Sequence, residues 1–547
     1  MAVGLVLGVV LAELPLSPHA VRVKVRASPT NDEATSRLRG IIRLPCGIGM
    51  WRGRVVMSES HTSTSCNLEG VTQMVERLRP ADVRILNADS RETPMHNATL
   101  EIFEPGERPF TYESLIEHVT DRITYAPRYR QRVLRFANLA TPVWIDDEDF
   151  DVSFHIHRSA LPKPGTLDQL RGMTARTMTR RLDPDRPLWE MFFIEGLEGG
   201  RVAILSKTHH LLVDGVRSID LGQALFDIDP GPHDRVPDEW QPRPRPSQAK
   251  LLGEVVSGSL IRPWEATKHA LEEVERSVSS VFDVAGTFNS LATAMIYRAD
   301  RQDSPFNHDP STQRRVEFVR TDLSDYNKIR HAHGGTVHDV ILGVLTGAIR
   351  AWYMTRAESV ANGRRVRALV PMSVESETEA SQIGAEVVGH LVDLPIGEVS
   401  PVVRLHQVSY AVRANVERGK AIAAASMARL PGFAPTTFHA LGARVAASNA
   451  TAGVNLVITN VPGPQFPMYL AGAKMTETFP VPTLHPGFSL SIGVTSYDGQ
   501  VSYGLTGDRE VLADLHLLGQ CIKEALEELL ESTSGLQTRA ARGRKRS

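Results

Sequence analysis

Cysteine is scarce: Cys46, Cys66 and Cys521 are the only three in 547 residues, and none sits in a Cys-x-x-Cys pair. Neither a disulfide framework nor a zinc-cysteine site has support, and a reducing cytoplasm fits best. Long apolar runs are missing too. Residues 2–12 (AVGLVLGVVLA) are apolar, but eleven residues fall short of the roughly 20 that a bilayer core requires. They also make a poor signal peptide, because no basic residue precedes them and the first arginine is Arg22. Neither sign of charge dominates, with 61 Lys and Arg against 63 Asp and Glu and a net charge of −2. Residues 74–534 carry 48 basic and 58 acidic residues, net −10. An acidic body argues against nucleic-acid binding, which needs a basic face to neutralise phosphates.

What is present is the composition of an ordinary globular protein, 42% hydrophobic and 23% charged. At about 150 residues per domain the chain has room for two to four domains. Residues 1–73 show little periodicity and are expected to be disordered or outside the catalytic fold, an extension upstream of a natural start at Met74. Residues 535–547 hold Arg539, Arg542, Arg544, Lys545 and Arg546 with no acid, and are expected to form a basic disordered tail that could touch anionic lipid.

Between these ends, strand and helix patterns alternate. Residues 99–103, 153–157, 190–197 and 202–208 read as strands, and 112–123, 167–180 and 216–226 as helices. Together they predict an N-terminal α/β domain over 74–226. Six prolines between residues 227 and 248 mark a linker. An amphipathic helical stretch at 251–299 follows, which packs on the body or serves as a lid or membrane-surface helix, so that 227–310 forms a crossover. The pattern resumes over 311–534, with a strongly apolar helix at 336–352, strands at 367–371 and 453–459, a hairpin about Asp498-Gly499, and a closing amphipathic helix at 512–530.

The chemistry concentrates in His209-His210-Leu-Leu-Val-Asp214-Gly215. A strand delivers two histidines into a loop, a carboxylate follows, and Gly215 lets the chain turn into a helix. Neutral imidazole takes a proton from a weak nucleophile such as an alcohol near physiological pH, and His210 is the candidate base. Asp214 either orients that imidazole or pairs with a buried arginine to shape the loop. Adjacent residues on a strand face opposite ways, so His209 and His210 do not form a metal pair. His155 and His157 share a strand face, but no third ligand is evident.

This motif resembles the active-site signature of the bacterial wax ester synthase/acyl-CoA:diacylglycerol acyltransferases, within the superfamily of chloramphenicol acetyltransferase and peptide-synthetase condensation domains. Further landmarks of that family stand here as Thr93-Pro94-Met95-His96, Pro187-Leu188-Trp189-Glu190, Ser304-Pro305-Phe306-Asn307 and Asn460-Val461-Pro462-Gly463-Pro464. The resemblance implies an α/β fold of two chloramphenicol acetyltransferase-like domains, mixed sheets flanked by helices, with the active-site channel between them. It implies transfer of an acyl group from acyl-CoA, as co-substrate, to diacylglycerol or a long-chain alcohol. No metal or redox cofactor is implied. Such acceptors are insoluble in water, so a cytoplasmic enzyme held peripherally at the membrane or at lipid droplets is expected.

The family's Asn-Asp pair appears here as His338-Asp339. Thr336 and Asp339 have the spacing of a capping box, and His338 in place of Asn puts the usual substrate choice or full activity in question. Pro187, Leu188, Trp189, His338, Asp339 and Asn460 are the candidate substrate-binding residues, each also open to a packing or turn-forming role. A backbone N–H near Gly215 or the Asn460 side chain are candidate oxyanion donors. Two other readings remain: a related acyltransferase with a different acceptor, or a degenerate acyl-CoA- or lipid-binding protein with little turnover.

Overall fold

The computed structural model describes residues 76–106, 109–136, 140–212, 221–231, 237–246, 304–374, 386–419 and 453–543. The expected N-terminal extension, Asp214, Gly215 and the stretch 251–299 lie outside the described residues. Everything described belongs to one unit, Glu76–Ser547.

Two six-stranded sheets carry the fold. The first runs, in spatial order, Tyr469–Leu470, Ala473–Val481, His96–Glu104, Val202–His209, Trp189–Glu195 and Ile156–Ala160. Its ladders are antiparallel except the last, which is parallel. The second runs Arg314–Asp322, Gln500–Asp508, Leu490–Tyr497, Leu456–Pro462, Val366–Val374 and Glu386–Leu394, and is also mixed. Trp189–Glu195 largely alternates buried and half-buried positions, whereas His96–Glu104 and Gln500–Asp508 are buried on both faces. The hairpin turns at Asp498 and Gly499, with φ of 42° and 81°, so Tyr497 pairs with Gln500. Both central residues must adopt left-handed backbone, which Asp tolerates and Gly adopts freely.

Three helices start at threonine caps that the sequence supplies. Thr111, Thr166 and Thr336 each accept a backbone N–H from the residue three positions on, whose side chain reaches back. The helix Val337–Thr355 is buried on almost every side, between the second sheet and the helices Pro401–Gly419 and Leu515–Gly543. Its near-continuous apolar sequence suits that position.

Three features depart from the sequence reading. The strand expected at 153–157 is a short turn, Val152–Phe154, followed by the strand Ile156–Ala160, because Asp151 caps the turn through the Ser153 N–H. Residues 535–543, expected as part of a disordered tail, continue the helix Leu515–Gly543, where Leu536, Gln537, Arg539, Ala540, Ala541 and Arg542 are good helix formers. Finally, Ala473–Val481 belongs by sequence to the expected second domain, 311–534, yet it hydrogen-bonds to His96–Glu104 in the first sheet. The two halves are therefore joined by a strand as well as by the proline-rich linker. At this seam Val316 and Phe318 of the second sheet's edge strand join Leu170, Met178 and Phe479 in one apolar cluster.

Candidate active site

His209 closes the strand Val202–His209 and pairs across the ladder with His96, the first residue of the neighbouring strand. The two histidines of the motif are pinned by their backbones: His209 N–H donates to the Leu188 carbonyl and His210 N–H to the Met95 carbonyl, both at 3.0 Å. Nδ1 of His209 accepts the Leu211 N–H at 3.1 Å, which puts the proton of the neutral ring on Nε2. The His209 and His210 rings are 6.4 Å apart, centroid to centroid, and both are buried. His96 Nε2 donates to the Met178 carbonyl at 3.1 Å, and burial, together with the nearby Lys207 ammonium, holds its pKa well below the usual histidine range.

A fourth imidazole enters from the other half of the chain. After the joining strand, Thr483 Oγ1 donates to the Pro94 carbonyl at 2.7 Å and Thr483 N–H donates to Asn97 Oδ1 at 3.1 Å. These bonds fix the loop that carries His485, whose ring centroid lies 6.3 Å from that of His210. His485 is 1% exposed, and neither ring nitrogen has a hydrogen-bond partner among the described residues. Burial pushes its pKa down to about 4, so the ring is neutral at physiological pH and offers one donor and one acceptor. Nothing in the sequence marks it: a lone histidine in Thr483-Leu484-His485-Pro486-Gly487 fits no spacing rule.

The other landmarks take definite places. Thr93-Pro94-Met95-His96 supplies the carbonyls that anchor both His210 and Thr483. Ser304-Pro305-Phe306-Asn307 anchors the far side of the His485 loop: the Phe306 carbonyl accepts the Ser489 N–H and the Pro305 carbonyl accepts its hydroxyl. Phe306 itself stacks on Trp352. His338 and Asn460 meet, with the Asn460 amide donating to His338 Nδ1 at 2.8 Å. Burial lowers the His338 pKa, opposed by the Asp339 carboxylate. Asp339 completes the capping box expected for it, accepting the Thr336 N–H on Oδ2 at 2.8 Å.

Comparison with known proteins agrees with this architecture. Residues 78–341 match the family model described as the wax ester synthase/diacylglycerol acyltransferase catalytic domain, and residues 383–530 match the C-terminal domain model of the same family. The chain belongs to the wax ester synthase/diacylglycerol acyltransferase family. By that membership it is an acyltransferase. A probable diacylglycerol O-acyltransferase of Mycobacterium tuberculosis is 30% identical over 437 residues, 79% of this chain and 90% of the relative. Another from the same organism is 36% identical over 260 residues, covering 47% of this chain and 96% of the relative. A solved wax ester synthase/diacylglycerol acyltransferase from Marinobacter aquaeolei VT8 shares the fold, with a TM-score of 0.59 and 24% identity across 84% of this chain and 100% of its own.

Within this acyltransferase, Pro187, Leu188 and Trp189, the candidates for substrate binding or for a packing role, make backbone and packing contacts next to the histidines. Leu188 holds His209, and the buried Trp189 indole donates to the Tyr129 carbonyl at 2.8 Å while its ring stacks on His155 at 4.5 Å. A wide apolar ring with one N–H needs one buried acceptor, and Tyr129 supplies it. His155 Nδ1 donates to the Trp189 carbonyl, so that ring is a packing element. No cluster of three or more metal-ligating side chains occurs among the described residues, and no helix among them is long and apolar enough to cross a membrane.

Proposed function

We propose that this acyltransferase moves a long-chain acyl group from acyl-CoA to the hydroxyl of diacylglycerol, and of a long-chain alcohol where one is offered, with His210 as general base. The observation that carries the reading is the meeting of His210, from the first half of the chain, with His485, from the second, in a buried seam. A base set between the two halves of the chain suits a reaction that brings two large substrates together.

The acceptor O–H gives its proton to His210 while its oxygen attacks the thioester carbonyl carbon. The carbon–sulfur bond then breaks, and His210 returns the proton to the departing thiolate, giving ester and CoA thiol with no covalent enzyme intermediate. The tetrahedral oxygen requires a donor during this step. We assign that role to the neutral His485 N–H, because this ring lies 6.3 Å from that of His210 and its nitrogens have no partner among the described residues. Gly215, the other candidate, lies outside the described residues. Asp214 keeps both readings, orienting the base or shaping the loop. Water-insoluble acceptors call for peripheral association with a membrane or lipid-droplet surface.

The test is CoA release, with mass analysis of products, from palmitoyl-CoA plus diacylglycerol or hexadecanol, wild type against His210→Ala. Ester that forms in the wild type and vanishes in the variant supports the reading. Acyl-CoA binding without turnover in either protein would instead favour the degenerate lipid-binding alternative, and turnover confined to another alcohol or an amine would replace the acceptor.

A further inference from the structure

Two adjoining clefts open at the seam between the halves, one of about 790 Å³ and one of about 620 Å³, and they share Ala175, Arg176, Arg314 and Arg509 in their walls. The smaller is lined by Arg91, Arg176, Arg181, Arg314 and Arg509 with no carboxylate in its wall. A solvated protein surface mixes both signs, and the body of this chain is net acidic, so five arginines around one concavity are not the product of overall composition.

The five guanidinium groups divide into two kinds. Arg314 is buried and forms the floor: it donates to the carbonyls of Ser311, Gln313 and Glu92. Arg181 is paired with Asp89 at 2.6 Å. Arg91, Arg176 and Arg509 are exposed, and among the described residues none of the three is paired with a carboxylate; Arg509 donates only to the neutral Gln313 side chain. Three unneutralised planar forks on one concave wall match tetrahedral phosphate oxygens, which arginine binds in bidentate fashion.

The position relates this cleft to the reaction centre. Arg91 lies five residues before His96, a separation of at most about 17 Å even for fully extended chain, and His96 pairs with His209. Thr179 and Arg181, also in the cleft wall, follow directly on Met178, whose carbonyl accepts the His96 N–H. The cleft wall thus comes within about 17 Å of His96, at the end of the first sheet where the histidines stand.

We propose that the arginine-lined cleft binds the 3′-phosphoadenosine diphosphate end of acyl-CoA, with Arg91, Arg176 and Arg509 as its phosphate ligands. The inference rests on the acyl-CoA reading of the His210 site, and it adds where the nucleotide sits and from which side the thioester arrives. Pantetheine then runs past the start of the strand His96–Glu104 toward His210.

The experiment uses the full chain and the triple variant Arg91→Gln/Arg176→Gln/Arg509→Gln. Titration calorimetry with 3′,5′-ADP needs neither acceptor nor turnover. Its affinity should fall at least tenfold in the variant, and in the wild type it should weaken as salt is raised, because phosphate contacts are screened. In parallel, KM should rise at least tenfold more for palmitoyl-CoA than for palmitoyl-pantetheine, which lacks the nucleotide. If wild type binds 3′,5′-ADP, the variant does not, and neither turns over palmitoyl-CoA, the cleft stands and the acyltransferase reading fails. Equal 3′,5′-ADP affinity in both proteins overturns the cleft. So does loss, in the variant, of binding to phosphatidylglycerol vesicles with 3′,5′-ADP affinity unchanged, since the arginines would then serve a lipid surface.

Discussion

The imidazole of His485 lies 6.3 Å from that of His210, centroid to centroid, and the two arrive from different halves of the chain. His210 is held by the Met95 carbonyl, and the His485 loop by the neighbouring Pro94 carbonyl, so one short segment sets both positions. Replacing His210 with alanine removes the base and should lower kcat about 10²–10⁴-fold. The CoA-release assay reads this directly, and an effect below tenfold would exclude His210 as the base.

His485→Leu keeps the seam apolar but removes the N–H. Loss of one oxyanion donor lowers kcat about 10²–10³-fold, with a smaller change in KM. If KM rises and kcat stays, His485 only helps to bind substrate.

The same residue makes stability depend on pH. Its folded pKa of about 4 lies below the ordinary histidine value, so between roughly pH 6.5 and 4 the unfolded chain binds a proton that the folded chain refuses. The contribution is complete above pH 6.5 and is lost as pH falls through that window, by about 2 kcal/mol between pH 6.5 and 5. Urea midpoints at the two pH values should differ less in His485→Leu than in the wild type. His96, also lowered by burial, adds loss of the same sign.

The helix Val337–Thr355 begins with reciprocal hydrogen bonds between Thr336 and Asp339. Thr336→Ala and Asp339→Ala should each cost about 1 kcal/mol, and the double variant less than their sum, because both remove one capping box. Denaturant titration of the four proteins gives the coupling. Strict additivity would mean that the two residues act separately.

Gly504, in the strand Gln500–Asp508 of the second sheet, faces Pro480 of the joining strand so closely that an added Cβ would lie 1.6 Å from the Pro480 carbonyl oxygen. Neither side of the contact is a flexible side chain, so Gly504→Ala must push backbone apart. The expected result is loss of soluble folded protein, or a drop in unfolding free energy above about 3 kcal/mol. A wild-type melting curve for the variant would show that the two strands are free to separate.

Local structure was legible wherever a residue's partners lie nearby in the chain. The Thr336 cap, the left-handed turn at Asp498-Gly499 and the apolar helix after Thr336 depend on neighbours within a few positions, and so does the delivery of His209 and His210 at the end of a strand. Local rules misplaced the strand near Ser153 by a few residues because Asp151 caps a turn that alternation does not register.

What depended on partners far away in sequence was decided by tertiary structure. Strand propensity in Ala473–Val481 is the same whichever sheet accepts it, and only packing against His96–Glu104 and Gly504 makes it the link between the halves. Trp189 is open in sequence to either substrate binding or packing, and only the fold shows that its indole donates to Tyr129 and stacks on His155. His485 and the arginine cleft follow the same logic: a single histidine, or arginines scattered from Arg91 to Arg509, acquires meaning only when the fold brings it to the seam. The sequence by itself determined most elements, the cap at Thr336 and the strand end that presents His209 and His210, because these rest on short-range backbone geometry. Which side chains surround that base was left to the fold, because long-range strand pairing carries no local signature.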